Sequence, residues 1–147
     1  MRGRRSCRRF SEAKVSKETL LRIVQAGRLS PASKGKDSTD YLIVDDKETL
    51  LNLSKSKNFG ASFVKHAPAV IVVMGHEEIS DVWIENASIA ASNMLLAAEA
   101  TGLGACWVQV RNRKDAEGVD AERNVREILG LGGGERILCM IAIGEKA

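Results

Sequence analysis

Apolar positions along the chain fall into short continuous runs and longer periodic stretches, and the two predict different elements. The run Ala69-Val70-Ile71-Val72-Val73-Met74 is introduced by Pro68 and closed by Gly75, so it has the length and punctuation of a core strand. Ala105 to Val110 and Ile137 to Ile143 have the same character, and Tyr41 to Val44 is a shorter example. Helical spacing appears at Leu20, Ile23, Val24 and Ala26, which predicts a helix capped by Ser16 and running through Leu29, with Gly27 near its end. Asp45-Asp46 opens a short helix carrying Leu50, Leu51 and Leu53. Asp120 caps another with Val125, Ile128 and Leu129, stopped by Gly130. Between these elements, 30–38, 54–60, 111–118 and 131–135 are polar or glycine-rich and read as loops, 54–60 as a mobile one.

The stretch from Ile84 to Ala100 stands apart because it is apolar on nearly every face. Ile84, Ala87, Ala91, Leu95 and Ala98 form one row, while Ile89, Ala90, Leu96, Ala97 and Ala100 cover the rest. A helix of this kind, about five turns long, is a buried one. Gly102 supplies a left-handed cap with Leu103 placed for the accompanying apolar contact, and Gly104 leads directly into the strand at Ala105. Four strands and four helices in irregular alternation imply layers of helix on one sheet. Such a sheet is too small to cover a helix that is apolar all round. A second copy of the chain is the expected cover, although the helix taken alone is also readable as simple core.

Composition narrows the class. A chain of 147 residues forms one domain, 1–147, with a core large enough to stand without disulfides. The net charge of +3, from 22 Lys and Arg against 19 Asp and Glu, does not call for a nucleic-acid partner. Cys7, Cys106 and Cys139 form no CxxC and cannot all pair, as expected of reduced thiols in a cytoplasmic protein. Neither a membrane span nor a signal peptide is visible.

Candidate chemistry is concentrated at the start. Arg4-Arg5-Ser6-Cys7-Arg8 places guanidiniums and a hydroxyl together, which suits a phosphate or another oxyanion; the same segment is also readable as a solvated basic tail. His66 and His76 lack metal-ligand spacing, so no metal site is expected. Cys106 lies in an apolar strand and reads as a packed thiol, not a nucleophile. Gly102-x-Gly104 follows a helix and precedes a strand, the reverse of a dinucleotide fingerprint.

Taken together and in order, Arg4-Arg5-Ser6-x-Arg8-x-Phe10, Ser30-Pro31-Ala32-Ser33, the segment Ile89 to Ala98, Gly102-Leu103-Gly104-Ala105-Cys106-Trp107 and Ile141-Ala142-Ile143-Gly144 resemble the nitroreductase family of flavoproteins over nearly the whole chain. The resemblance implies an α+β fold, a mostly antiparallel sheet flanked by helices around a long buried one, and a homodimer holding FMN at its interface. It implies electron transfer from NAD(P)H to a nitro compound, a quinone or a similar small acceptor by a ping-pong mechanism, with no catalytic side chain. By the same resemblance Arg4 meets the FMN phosphate, with Arg5 and Ser6 beside the phosphate and ribityl chain, and Arg8 lies at the pyrimidine edge. A cation there has a physical use, since hydride arriving at the ring leaves negative charge on that edge. Pro31, Ala32, Ser33 and Gly35 belong to the loop that lies against the partner's ring, and Trp107, Val108 and Gln109 to the strand along it, with backbone groups near Val108 and Gln109 addressing the flavin.

The chain also departs from the family pattern. Where many members carry Asn and Gln in the loop, Gly35 and Asp37 stand here, so an amide contact is lost and a negative charge gained. Many members have a helix before the arginine motif and a long basic tail after the last strand. This chain opens three residues before Arg4 and stops at Ala147, so a weaker phosphate site and a weaker dimer are expected. Two functional readings follow: an FMN-dependent oxidoreductase, or a minimal relative that binds flavin weakly as a carrier, sensor or interaction module.

Overall fold

The structure is a computed structural model and describes residues 1–147. Its centre is a four-stranded antiparallel sheet in the order β1-β2-β4-β3, formed by β1 (Thr39–Val44), β2 (Ala69–Gly75), β3 (Gly104–Gln109) and β4 (Arg136–Gly144). β2 and β4 lie inside the sheet, and every residue of β2 is buried. That explains why they read as unbroken apolar runs and not as alternating ones.

Alternation along β2 separates two apolar layers. Ile71 and Val73 face α1 (Lys17–Arg28) and α3 (Trp83–Ala100), packing with Leu20, Ile23, Ala91 and Met94. Val70, Val72 and Met74 face α2 (Lys47–Leu53) and α4 (Ala121–Leu129), packing with Leu50, Leu53 and Val125. Each fully buried aliphatic side chain of these layers contributes about 1.5–3 kcal/mol. The fold is α+β, with helices on both faces of one sheet.

Most helix ends follow their local chemistry. The Ser16 side chain accepts from Thr19 N, and Asp46 caps α2 through Thr49 N at 3.0 Å. Gly102 has φ +79, and Leu103 N donates to Ala98 O at 2.9 Å, closing α3 as expected. Asp120 differs. It stands at the start of α4 but makes no cap bond, because its carboxylate is held by Lys114 Nζ at 2.8 Å.

Two irregular features shape the β3 edge. β4 carries a bulge: Val73 faces Cys139 and Met74 faces Ile137, so Leu138 is left over. The Leu138 carbonyl accepts from both Val110 N and Arg111 N, which ends β3 and turns the chain into the 111–120 connection. At the other end the N-terminal segment lies along the edge. Cys7 N donates to Ala105 O at 2.9 Å, and Ser11 N donates to Glu145 O at 2.9 Å. Phe10 anchors this segment against Phe63, with ring centroids 6.4 Å apart. The outer side of α3 is incompletely covered, and Ile89 remains 41% exposed.

Candidate functional site

The basic segment and β3 meet because β3 is an edge strand with one set of backbone groups turned away from the sheet. Val110 N points inward to Leu138 O, so the two-residue alternation of the ladder also turns the Val108 backbone toward β4. The Ala105 and Gln109 carbonyls point outward. The first is taken by Cys7 N, and the second by Lys57 Nζ at 2.8 Å. Of the two backbone positions expected to address a ligand, Gln109 therefore faces the open edge, and Val108 contributes a buried side chain to the α2 and α4 layer. Gly104 is needed for this approach, since a Cβ there would lie 2.6 Å from Cys7 Sγ. Trp107 Nε1 donates to Gln109 Oε1 at 2.8 Å, and Gln109 Nε2 donates to Arg111 O at 2.8 Å, so the edge side chains are locked in sequence.

Cationic groups converge on this edge. Burial pushes the Cys106 thiol up, against the opposing pull of Arg8, Ser6 and Lys57 around it. Lys57 is itself pushed down, first by burial and then by Arg113. Arg8 and Lys57 therefore flank the middle of β3 from two separate loops. Arg4 is half-buried, and its guanidinium, like that of Arg8, has no ion pair or hydrogen bond within the chain. Arg5 instead folds back, its Nη1 donating to Arg2 O and Arg4 O at 3.0 and 2.9 Å, so it braces the turn. Cys106 and Cys139 are buried with thiols pushed up by burial, and neither has the character of a nucleophile.

The second group of candidate residues lies elsewhere. Pro31, Ala32, Ser33 and Gly35 sit in the loop that leads into β1, whereas Arg4, Ser6, Arg8, Trp107 and Gln109 lie at β3. β1 and β3 are opposite edges of the sheet. Within one chain the two groups are not brought together.

Lys57 and Arg113 were not legible as site residues. Both occur in polar stretches without periodicity; Arg113 follows β3 in a local turn, whereas the approach of Lys57 depends on a contact 52 residues away. A cavity of 280 Å³ lies between α2 and α4 and is lined by Asn52, Lys55, Ser56, Asp115 and Asn124 among others. Its central groups satisfy one another: Asn124 Nδ2 donates to Ser56 O and to Asp115 Oδ2 at 3.0 and 2.9 Å. It offers structure more than chemistry. No group of His, Cys, Asp or Glu is arranged to hold a metal ion, and no helix is long and apolar enough to cross a membrane.

Comparison with known proteins bears on the same elements. The sequence matches the profile of the Nitroreductase family over residues 1–58 and 50–145. It is 30% identical over 145 residues to a protein of Archaeoglobus fulgidus named as a candidate NADH dehydrogenase/NAD(P)H nitroreductase, covering 96% of this chain and 80% of that one. Among solved structures it resembles an FMN-dependent nitroreductase from Clostridium difficile R20291, with a TM-score of 0.94, 43% identity, and coverage of 98% of this chain and 84% of that one. A structure from Parabacteroides distasonis, also named as a candidate NADH dehydrogenase/NAD(P)H nitroreductase, superposes with a TM-score of 0.89 at 31% identity over 97% of this chain and 82% of that one. With the arginine motif, the loop before β1, the buried helix and the β3 edge all in place, the chain belongs to the nitroreductase family.

Proposed function

We propose that the protein is an FMN-dependent oxidoreductase that carries electrons from NAD(P)H to a nitro compound, quinone or similar small acceptor by a ping-pong mechanism, as a homodimer in the cytoplasm. The observation that carries this reading is the division of the candidate residues between opposite edges of the sheet. The arginine motif and the Pro31–Gly35 loop complete one site only if the loop comes from a second copy. The uncovered side of α3, with Ile89 and Leu96, supplies an apolar face for that copy. Free thiols at all cysteines accord with a reducing compartment.

The β3 edge fits FMN in its donor set. Arg4 offers an unpaired guanidinium to a phosphate, Ser6 a hydroxyl beside it, and Gln109 an outward backbone group. Held there, FMN would supply hydride-transfer chemistry between NAD(P)H and the acceptor. Arg8 and Lys57 bring positive charge to the β3 edge, where it would stabilise the negative charge delivered with a hydride. The Gln109 carbonyl holds the Lys57 ammonium, and the Cys7 backbone bond holds Arg8 in place. Cys106 stays a neutral thiol and takes no part in proton movement. The chemistry would need no catalytic side chain, and donor and acceptor would use the same site in turn.

The test is anaerobic. The protein should take up FMN, bleach its visible absorbance with NADH or NADPH alone, and recover colour on addition of a nitroarene or quinone alone. Flavin uptake without bleaching by either nucleotide would overturn the enzymatic reading. Sedimentation that shows a monomer in the presence of saturating FMN would overturn the dimeric one.

A further inference from the structure

The loop before β1 is exposed at its centre. From Ser33 to Gly35 no residue is buried, and Lys34 and Gly35 take left-handed backbone conformations in succession, with φ +56 and +64. A lysine in that region is strained, so something else must hold the loop.

Two amides on α3 do. Asn86 is 5% exposed, in the first turns of the helix. Its Oδ1 accepts from Ser33 N at 3.1 Å, and its Nδ2 donates to Ser38 Oγ at 3.0 Å and to Ser80 Oγ at 3.3 Å. Two of these bonds seize the loop on either side of the strained pair, and the third ties it to the turn before α3. Ser38 is itself 1% exposed, and its carbonyl accepts from His76 N at 2.8 Å. Two helical turns on, Asn93 Nδ2 donates to Ser30 Oγ at 2.7 Å. A buried amide costs free energy unless its groups are paired, and this one spends its pairing on an exposed loop.

We infer that Asn86 is a positioning residue for flavin binding: through Ser33 and Ser38 it fixes the conformation in which the Pro31–Gly35 loop meets the flavin of the partner subunit. The inference rests on the functional reading above. α3 carries both the Asn86 latch and the apolar face around Ile89, so one rigid element sets where the second copy docks and where its loop lands. Asn86 touches neither flavin nor substrate in this account and acts only through the loop.

The experiment compares the full-length wild type with Asn86→Leu, Asn86→Asp and Ser80→Ala. Asn86→Leu keeps the volume and removes every latch bond. Asn86→Asp retains an acceptor for Ser33 N, and both serine hydroxyls can turn to donate to it. Ser80→Ala removes the bonds that Ser80 Oγ accepts from Asn86 Nδ2 and Val82 N, neither of which involves the loop, and so measures what destabilising the start of α3 alone does. Hydrogen exchange of the apoprotein across 30–38, thermal melting and FMN titration are read for each. The expected result for Asn86→Leu is faster exchange in the loop and FMN affinity lowered by about tenfold. Asn86→Asp should be close to wild type in both. Ser80→Ala should melt earlier with unchanged loop exchange and FMN affinity. If the wild type binds no FMN, the functional reading falls and the positioning role falls with it. If the wild type binds and Asn86→Leu binds equally well, whatever its loop exchange, the positioning role alone is overturned. Should Asn86→Leu fail to fold, Asn86→Asp and Ser80→Ala decide: a fall in affinity that tracks melting temperature across both would make Asn86 a purely structural residue.

Discussion

β2 and the 30–38 loop are held by opposite means. β2 is buried at all of its residues, carries no charge and is fixed from both faces by aliphatic packing. The loop has no buried residue from Ser33 to Gly35 and is fixed by directional bonds to two amides. The N-terminal basic segment resembles the loop in this respect, resting on backbone bonds to Ala105 and Glu145 with Phe10 as its apolar anchor. Stability is thus concentrated in the central strands and the proposed ligand chemistry at the polar rim, so substitutions should separate the two.

The largest effect belongs to the strands. Ile141 is fully buried in β4, and Ile141→Ala should cost about 2–5 kcal/mol of unfolding free energy, read from the shift in denaturant midpoint, through lost burial and the cavity left behind. Under conditions where the variant is still folded, its FMN affinity should match the parent. A loss of affinity in that regime would break the separation.

At the rim, Arg4→Ala should leave apoprotein melting unchanged but weaken FMN binding by roughly tenfold to a hundredfold, the equivalent of a charge-assisted hydrogen bond of about 1.5–3 kcal/mol. Binding by the parent should weaken as salt rises, because a half-exposed phosphate site is screened. Affinity indifferent to both salt and the substitution would mean that the phosphate is held elsewhere.

Arg8→Ala should act on electronics more than on affinity. Its cation favours the more negative, reduced cofactor over the oxidised one, so its removal should lower the flavin midpoint potential while apoprotein stability stays near the parent's. Lys57 retains part of the field, which makes the change smaller than for Arg4. A potential equal to the parent's would remove Arg8 from the ring's edge.

The smallest effect tests where core and rim touch. Tyr41, the only tyrosine, is pushed up to about 12 by burial, then by Asp37 and Asp40, against the pull of Arg28 stacked 5.2 Å from its ring. Ultraviolet titration of tyrosinate should therefore show a midpoint well above the ordinary value of about 10. A raised value in the folded state gives stability that is complete below the unfolded value and is lost as pH rises through about 12. Asp37→Asn should move the midpoint down, since Asp37 reaches the core tyrosine from the exposed loop.

Reading the sequence recovered what local chemistry dictates. The apolar runs became β2 and β4, and Ser16, Asp46, Gly102 and Gly130 ended their helices as expected. β1 and β3 each begin one or two residues earlier than the apolar runs suggested, because backbone pairing extends past the last apolar side chain. Long-range polar contacts were not legible. Residues 54–60 read as mobile and polar, yet Ser54 and Ser56 are buried and Lys57 reaches Gln109 across the fold. Asn86 and Asn93 stand in an apolar helix with no local sign of their bonds, and their partners in the loop lie 48 to 63 residues away. Asp120 had the residue type of a cap and was claimed by Lys114 instead. A competition between partners of this kind leaves no periodic trace.

The strand order has a consequence for how the chain is made. β4 follows every other element in sequence but lies between β2 and β3. Until it emerges from the ribosome, β3 has no sheet neighbour, and only the β1–β2 pair can form. Docking of the N-terminal segment must also wait, because its bonds run to Ala105 on β3 and to Glu145 just after β4. Pairing over such separations is slow, and the exposed edge of β2 is at risk of false partners in the meantime. The basic residues before α1 are therefore made earlier than any strand and are among the last to find their places.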